Sequence, residues 1–292
     1  MGSDAMLGSM MRSAIWVAVL VAAAGAQRNA APPPYEGHAV LPGVRLFYSD
    51  TGGTGVPIVL MHAATGSVRA WEHQTPAFTK AGYRVIAFDR RGWGRTENEP
   101  QSSPATAADD LLALMDSLHI DRFHLVGTAA GGFATIDTAL SFPKRLRSIV
   151  IANSIGGVQD DDFVALGRRL RPAEFLAMPP EVREVSPSYR AANPEGTRRW
   201  VELEHISRPP GPAAPAQPLK NKITFAMLET IEVPTLLLTG DADMYAPPPV
   251  LKMFAARIKH ADSLIVPEAG HSTYWEQPDV FNRAVLNFVR KH

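Results

Sequence analysis

From Glu36 onward the chain alternates short apolar runs with longer segments in which apolar residues recur every three or four positions. "EGHAVLPGVRLFYSD" holds two strand-like runs on either side of Pro42-Gly43, a turn dipeptide, and predicts an opening hairpin. "VPIVLMH" follows, a continuous apolar run of the kind buried on both faces of a parallel sheet. "YRVIAFD", "FHLVG", "LRSIVIAN", "PTLLLTG" and "DSLIVPE" repeat the pattern. Between them, "TAADDLLALMDSL" offers Thr106 as an N-cap with Asp109 three residues on, and places Leu111, Leu114, Met115 and Leu118 on one helical face. After Pro278, the spacing of Val280, Phe281, Ala284, Val285, Phe288 and Val289 predicts a closing helix. Strand alternating with helix in this way indicates an α/β fold with a mostly parallel central sheet and helices on both faces.

One region breaks the rhythm. From about Val158 to Leu228 no buried strand run occurs, and prolines and arginines are frequent. Structureless loops of that length are uncommon, so the stretch reads as a helical insertion, a lid. The expected organisation is a leader and linker over 1–34, a first core part over 35–157, the insertion over 158–228 and a second core part over 229–292.

Composition narrows the function classes. Hydrophobic residues make up 46% of the 292, enough for a sizeable core. Lys plus Arg and Asp plus Glu both number 29, so no net field draws the chain to nucleic acid or to an anionic membrane. The absence of cysteine excludes a disulfide, a thiolate metal site and a cysteine nucleophile. Arg12, the apolar run Ala14–Ala24 and the Ala24-Gly25-Ala26 triplet have the layout of a secretory signal, too short for a mature membrane span. Export to a periplasm or the medium is the expectation, with a cytoplasmic protein if the leader is not a signal. "AAPPPYEG" then reads as a stiff linker. Arg168, Arg169, Arg171, Arg198 and Arg199 cluster in the insertion, either as a solvated, salt-bridged surface or as an attractor for an acidic substrate.

Five stretches carry the chemistry. "VPIVLMHAATGS" is a strand followed by a loop that starts at His62. "FDRRGWGRT" is a glycine-rich turn, and "HLVGTAAGGFAT" has the spacing of a strand–turn–helix bend that presents one side chain. "PTLLLTGDADMYAPP" ends a strand in two aspartates, and "VPEAGHSTYWEQP" places His271 in a loop before the last helix. Together these stretches resemble the α/β-hydrolase superfamily over nearly everything from Gly43 to His292. The resemblance implies a serine nucleophile at the bend, and here the bend reads Gly127-Thr128-Ala129-Ala130-Gly131. Two smaller departures are Ala63 after His62, where the family has glycine, and Thr96 at the end of the "FDRRGWGRT" stretch, where it has serine.

The resemblance makes His271 the general base and Asp243 the carboxylate that orients it, with Asp241 a turn residue. Backbone N–H groups of Ala130 and of Ala63 or Ala64 become the oxyanion donors. It gives His62 a part in shaping the oxyanion loop and none in proton transfer. An alanine at position 129 can neither attack a carbonyl nor carry an acyl group. Aspartate-dependent branches of the superfamily are likewise excluded. Thr128 has a hydroxyl one position early on a bend that aims a single side chain, and Ser154 lies past the next strand. Trp93, Trp200 and Trp275 are pocket-lining or plain core. No metal or organic cofactor is implied, the partner is a small molecule, and the oligomeric state stays open.

Three readings of the alanine follow. It replaces a native serine in an esterase-, lactonase- or C–C hydrolase-like enzyme that cleaves an ester, lactone or related acyl bond of a medium-sized apolar substrate, the opening "MGSDAMLGSM" being a cloning remnant. It is native to an enzyme that uses His271 and Asp243 as a base dyad, for lyase or cofactor-free oxygenase chemistry. Or the protein binds a ligand without turning it over.

Overall fold

The computed structural model describes residues 32–98, 105–171, 173–210 and 217–292. The signal-like run and the first two linker residues, Ala30 and Ala31, lie outside the described residues, and the linker stretch is shorter than expected because Tyr35, Glu36 and Gly37 already belong to the first strand. Among the described residues, nine strands form one sheet: β1 Tyr35–Leu41, β2 Val44–Asp50, β3 Pro57–Met61, β4 Arg84–Phe88, β5 Glu97–Asn98, β6 Phe123–Thr128, β7 Leu146–Ala152, β8 Thr235–Gly240 and β9 Ala261–Val266. Their order is β1-β2-β4-β3-β6-β7-β8-β9, with β5 paired to β2. β1 to β2 and β2 to β4 are antiparallel, and from β4 through β3 to β9 every pairing is parallel. The predicted hairpin closes with Leu41 opposite Val44, and Gly43 at φ +70° supplies the left-handed residue that its turn needs.

The helices are α1 Gln74–Lys80, α2 Ala107–Ser117, α3 Ala130–Ser141, α4 Asp161–Leu170, α5 Ala173–Ala177, α6 Pro180–Glu184, α7 Pro187–Ala192, α8 Pro194–Ile206, α9 Phe225–Leu228, α10 Pro248–Ala255, α11 Thr273–Glu276 and α12 Pro278–Val289. Thr106 caps α2, accepting the Asp109 N–H at 3.1 Å while its hydroxyl donates to the Asp109 carboxylate at 2.8 Å. Within the stretch 158–228 lie α4 to α9, and no strand occurs there among the described residues.

Period-two alternation splits the core into two layers. Along β3, Val59 and Met61 join the layer built from α2, α3 and α10, which contains Leu111, Ile136 and Phe254. Ile58 and Leu60 join the layer with α1 and α12, which contains Phe78, Phe281 and Phe288. The run "DSLIVPE" departs from its expected burial on both faces. It forms β9 at the sheet edge, paired only to β8, with Asp262 and Ser263 exposed. Polar residues on an edge strand oppose pairing with another chain, and a buried strand would not tolerate them.

The strand–helix junction at β6 and α3 fixes where the chemistry sits. A Cβ on Gly127 would collide with the Thr135 hydroxyl, and one on Gly131 with the carbonyl oxygen of Met61. The helix start therefore lies directly against the end of β3. Gly131→Ala is expected to lower the unfolding free energy by about 1–3 kcal/mol through overpacking, read from urea melts. An unchanged midpoint would mean that this approach is looser than described.

Candidate active site

Ala129 occupies the bend between β6 and α3 with φ 50° and ψ −114°, a conformation that L residues rarely adopt. Three hydrogen bonds hold it there. Its N–H donates to Ala152 O at 2.9 Å, and its carbonyl accepts from Gly132 N–H at 3.0 Å and from the Ser154 hydroxyl at 2.7 Å. Ser154 thus braces the backbone of the bend, closer to it than its sequence position suggests. Thr128 is 1% exposed, its hydroxyl buried with no partner among the described residues.

Asp243 and His271 meet after β8 and β9. The Nδ1–H of His271 donates to the carboxylate, 2.9 Å from each oxygen, and both residues are buried. The remaining lone pairs of Asp243 accept from Tyr245 N–H at 2.8 Å, Ala246 N–H at 2.9 Å, the Asn153 amide at 3.0 Å and the Thr239 hydroxyl at 3.1 Å. Asp241 is an exposed turn residue. With Nδ1 engaged, Nε2 of His271 is left as the proton-accepting atom.

The same carboxylate cluster sets the protonation equilibria. Burial opposes a charged His271, but the Asp243 and Glu184 carboxylates outweigh it, so the imidazole pKa is raised above its ordinary value. Burial also opposes a charged Asp243. The His271 charge and hydrogen bond, with the two backbone N–H groups, hold its pKa below the usual carboxylate range. Burial raises the Glu184 carboxyl, and the His271 charge offsets part of that rise.

Opposite the bend lies the loop after β3. His62 is fully buried, with Nδ1–H donating to Ala63 O at 2.6 Å and Nε2 accepting Arg90 N–H at 3.0 Å. Burial, reinforced by the Arg90 charge, pushes its pKa well down, so it is a neutral brace. The Trp93 indole N–H donates to Ala64 O at 2.7 Å and Gly66 N–H to Ala63 O at 3.2 Å, which pins the loop by its carbonyls. The N–H groups of Ala63, Ala64 and Ala130 have no acceptor among the described residues. These are unengaged donors at the start of α3 and in this loop.

A family model described as "Alpha/beta hydrolase family" matches residues 58–284. The chain belongs to the alpha/beta hydrolase family. It is 27% identical over 282 residues to a 2-hydroxy-6-oxononadienedioate/2-hydroxy-6-oxononatrienedioate hydrolase of Burkholderia vietnamiensis, covering 85% of this chain and 92% of that one. A thermophilic esterase from Thermogutta terrifontis superposes with TM-score 0.72 at 26% identity, over 89% of this chain and 98% of the other. Est816, described as an N-acyl homoserine lactone degrading enzyme, does so with TM-score 0.68 at 25% identity, over 86% and 99%. Relatives of this kind are hydrolases of small molecules, so a hydrolase role for this alpha/beta hydrolase is supported.

Several residues at the site carry no motif in the sequence. Asn153, at φ 50°, donates to Asp243 and to Gly270 O, each at 3.0 Å, and accepts from the Thr273 hydroxyl at 2.5 Å, which ties the acid loop to the histidine loop. Glu276 accepts N–H groups of Ser186, Gly270 and Ser272, and so fixes the backbone on both sides of His271. Tyr245 packs on the His271 ring at 4.5 Å between centroids, its hydroxyl accepting from Arg183 at 2.8 Å. Glu184 ends α6, its carboxylate buried and without a hydrogen bond among the described residues. Only positive φ at Asn153 carries a sequence hint, since asparagine tolerates that region.

Behind Tyr245 is a cavity of about 370 Å³ between α4 and α5 on one side and the loop after β8 on the other. Its walls are mainly apolar, including Phe163, Val164, Phe175, Ile155 and Val250, with Arg168 and Arg171 among its lining residues. The three tryptophans lie elsewhere. Trp93 is half-buried against the loop after β3, while Trp200 and Trp275 are core, their indole N–H groups donating to Ser272 and to Gly196 O. Of the insertion's arginines, Arg199 pairs with Glu72 and Glu202.

Removing either carboxylate lowers the His271 pKa. Glu184→Gln is expected to lower it and Asp243→Asn to lower it further, read by NMR titration of the His271 ring. An unchanged value in both variants would show that these carboxylates do not act on the imidazole.

Proposed function

We propose that the chain is an ester- or lactone-cleaving hydrolase in which Ala129 stands at the nucleophile position, His271 is the base and Asp243 its orienting carboxylate. The N–H groups of Ala130 and of Ala63 or Ala64 stabilise the oxyanion. The observation that carries this reading is the buried Asp243–His271 pair, which follows β8 and β9 at the same carboxyl-terminal end of the parallel strands as the bend after β6, still held at φ 50°. A superposable esterase and a lactone-degrading relative support an acyl substrate. The insertion over 158–228 is read as a lid, and the signal-like leader as an export signal.

Without a hydroxyl at residue 129, no acyl-enzyme forms, and hydrolysis by the chain as it stands runs through water deprotonated at His271 Nε2. The hydroxide attacks the carbonyl, the oxyanion meets the backbone donors, and the imidazolium returns its proton to the leaving oxygen. A second reading is favoured by the same methyl group. A base with no nucleophile beside it is suited to removing a substrate proton, the first step of a lyase or of a cofactor-free oxygenase.

Ala129→Ser is expected to raise p-nitrophenyl acetate turnover by on the order of a thousandfold or more, because loss of a serine nucleophile is typically more costly still. His271→Ala in the Ala129→Ser background is expected to abolish that gain. Serine without effect, in a protein whose melting curve is intact, would sink the hydrolase reading and leave proton abstraction or simple binding.

A further inference from the structure

The cavity behind Tyr245 has the volume of a small-molecule site and meets the Asp243–His271 pair through that residue. Its outer rim is unusual for a protein surface. Leu166, Leu170 and Met244 line it and are 40%, 65% and 44% exposed. Within that apolar rim stand Arg168 and Arg171, neither paired with a carboxylate among the described residues. Arg171 is half-buried, donates to Gly167 O at 3.2 Å and lies 5.8 Å from the Tyr245 ring. By contrast, Arg199, Arg208 and Arg257 all have acidic partners. The acidic residues of α4, Asp161 and Asp162, sit at its opposite end.

We propose that this cavity binds the hydrocarbon chain of a medium-length carboxylate, with Arg168 and Arg171 receiving the negative end. The walls favour chain methylenes by excluding water from them. The guanidinium groups favour a carboxylate over a neutral or cationic end group of the same size. Tyr245 is the wall shared with His271 and sets the direction of the bound chain. Resting on the ester-cleaving reading, the substrate is an ester or lactone whose chain leads away from His271 and ends in an anionic group. The reacting carbonyl then lies over Ala129 and the charge sits beside Arg168 and Arg171 on the α4 side of the cavity.

Binding is measured on the intact chain by titration calorimetry, with octanoate and octyltrimethylammonium as probes of equal chain length and opposite charge. Octanoate is expected to bind and octyltrimethylammonium to bind at least about tenfold more weakly. The double variant Arg168→Gln/Arg171→Gln, two rim substitutions, is expected to weaken octanoate about tenfold. Val164→Trp on α4 and, separately, Val250→Trp on α10 fill the cavity from opposite walls and are expected to abolish octanoate binding, with circular dichroism confirming the fold of each. Equal affinity for the two probes, or octanoate binding indifferent to the arginines, overturns the anionic assignment. Octanoate binding that survives both tryptophans overturns the site. None of these readouts depends on turnover, so failure of the Ala129→Ser assay strikes the hydrolase reading and the ester or lactone identity of the substrate, and leaves the binding of an anionic chain in the cavity standing.

Discussion

The site depends on one strained residue. A non-glycine residue held outside the common backbone regions costs of order 1–3 kcal/mol and persists only where its surroundings over-determine it. At Ala129 they do so through Ala152 O, the Gly132 N–H and the Ser154 hydroxyl, together with two glycines that let α3 lie against β3. The four non-glycine residues at positive φ among the described residues are His119, Ala129, Asn153 and Glu268. Three of these follow β6, β7 and β9, the strands whose ends build the site. The geometry of a bend for presenting a hydroxyl is thus intact although the side chain at its apex is a methyl.

Electrostatics make the second half of the arrangement. One imidazole stands among Asp243, Glu276 and Glu184, but the three carboxylates do different things. Asp243 holds Nδ1 and is satisfied by backbone and side-chain donors, and Glu276 is spent on the amides of the loop. Glu184 alone of the three has no hydrogen bond among the described residues, and it acts on His271 through its charge, with Arg183 also within its field. Inside a desolvated pocket such fields act at lower effective dielectric than on the surface, which is why the imidazole pKa rises despite burial.

Much of this was legible in the residues, for reasons that differ by element. The parallel strands β3, β4, β6, β7 and β8 announce themselves because burial on both faces demands unbroken apolar runs, and the Thr106 cap because its partner must be three residues on. Asp243 and His271 could be named because each follows a strand in a recognisable loop. The edge placement of β9 could not be read, since Leu264, Ile265 and Val266 disguise the exposed Asp262 and Ser263 as one end of a buried run. β5 spans two exposed residues and has no periodicity to show. Asn153, Glu184 and Tyr245 were invisible for another reason: their roles come from side chains meeting across the sheet edge and the inserted helices, and no local spacing encodes such a meeting.

The bracing of His62 has a consequence for acid titration of the protein. Both ring nitrogens are committed, one to Ala63 O and one to the Arg90 amide, and the neutral ring is strongly favoured. Protonating it would break the Arg90 contact and put a second cation beside the Arg90 guanidinium. Over the interval in which His271 gains its proton, the opposing wall therefore keeps a fixed shape and a fixed charge.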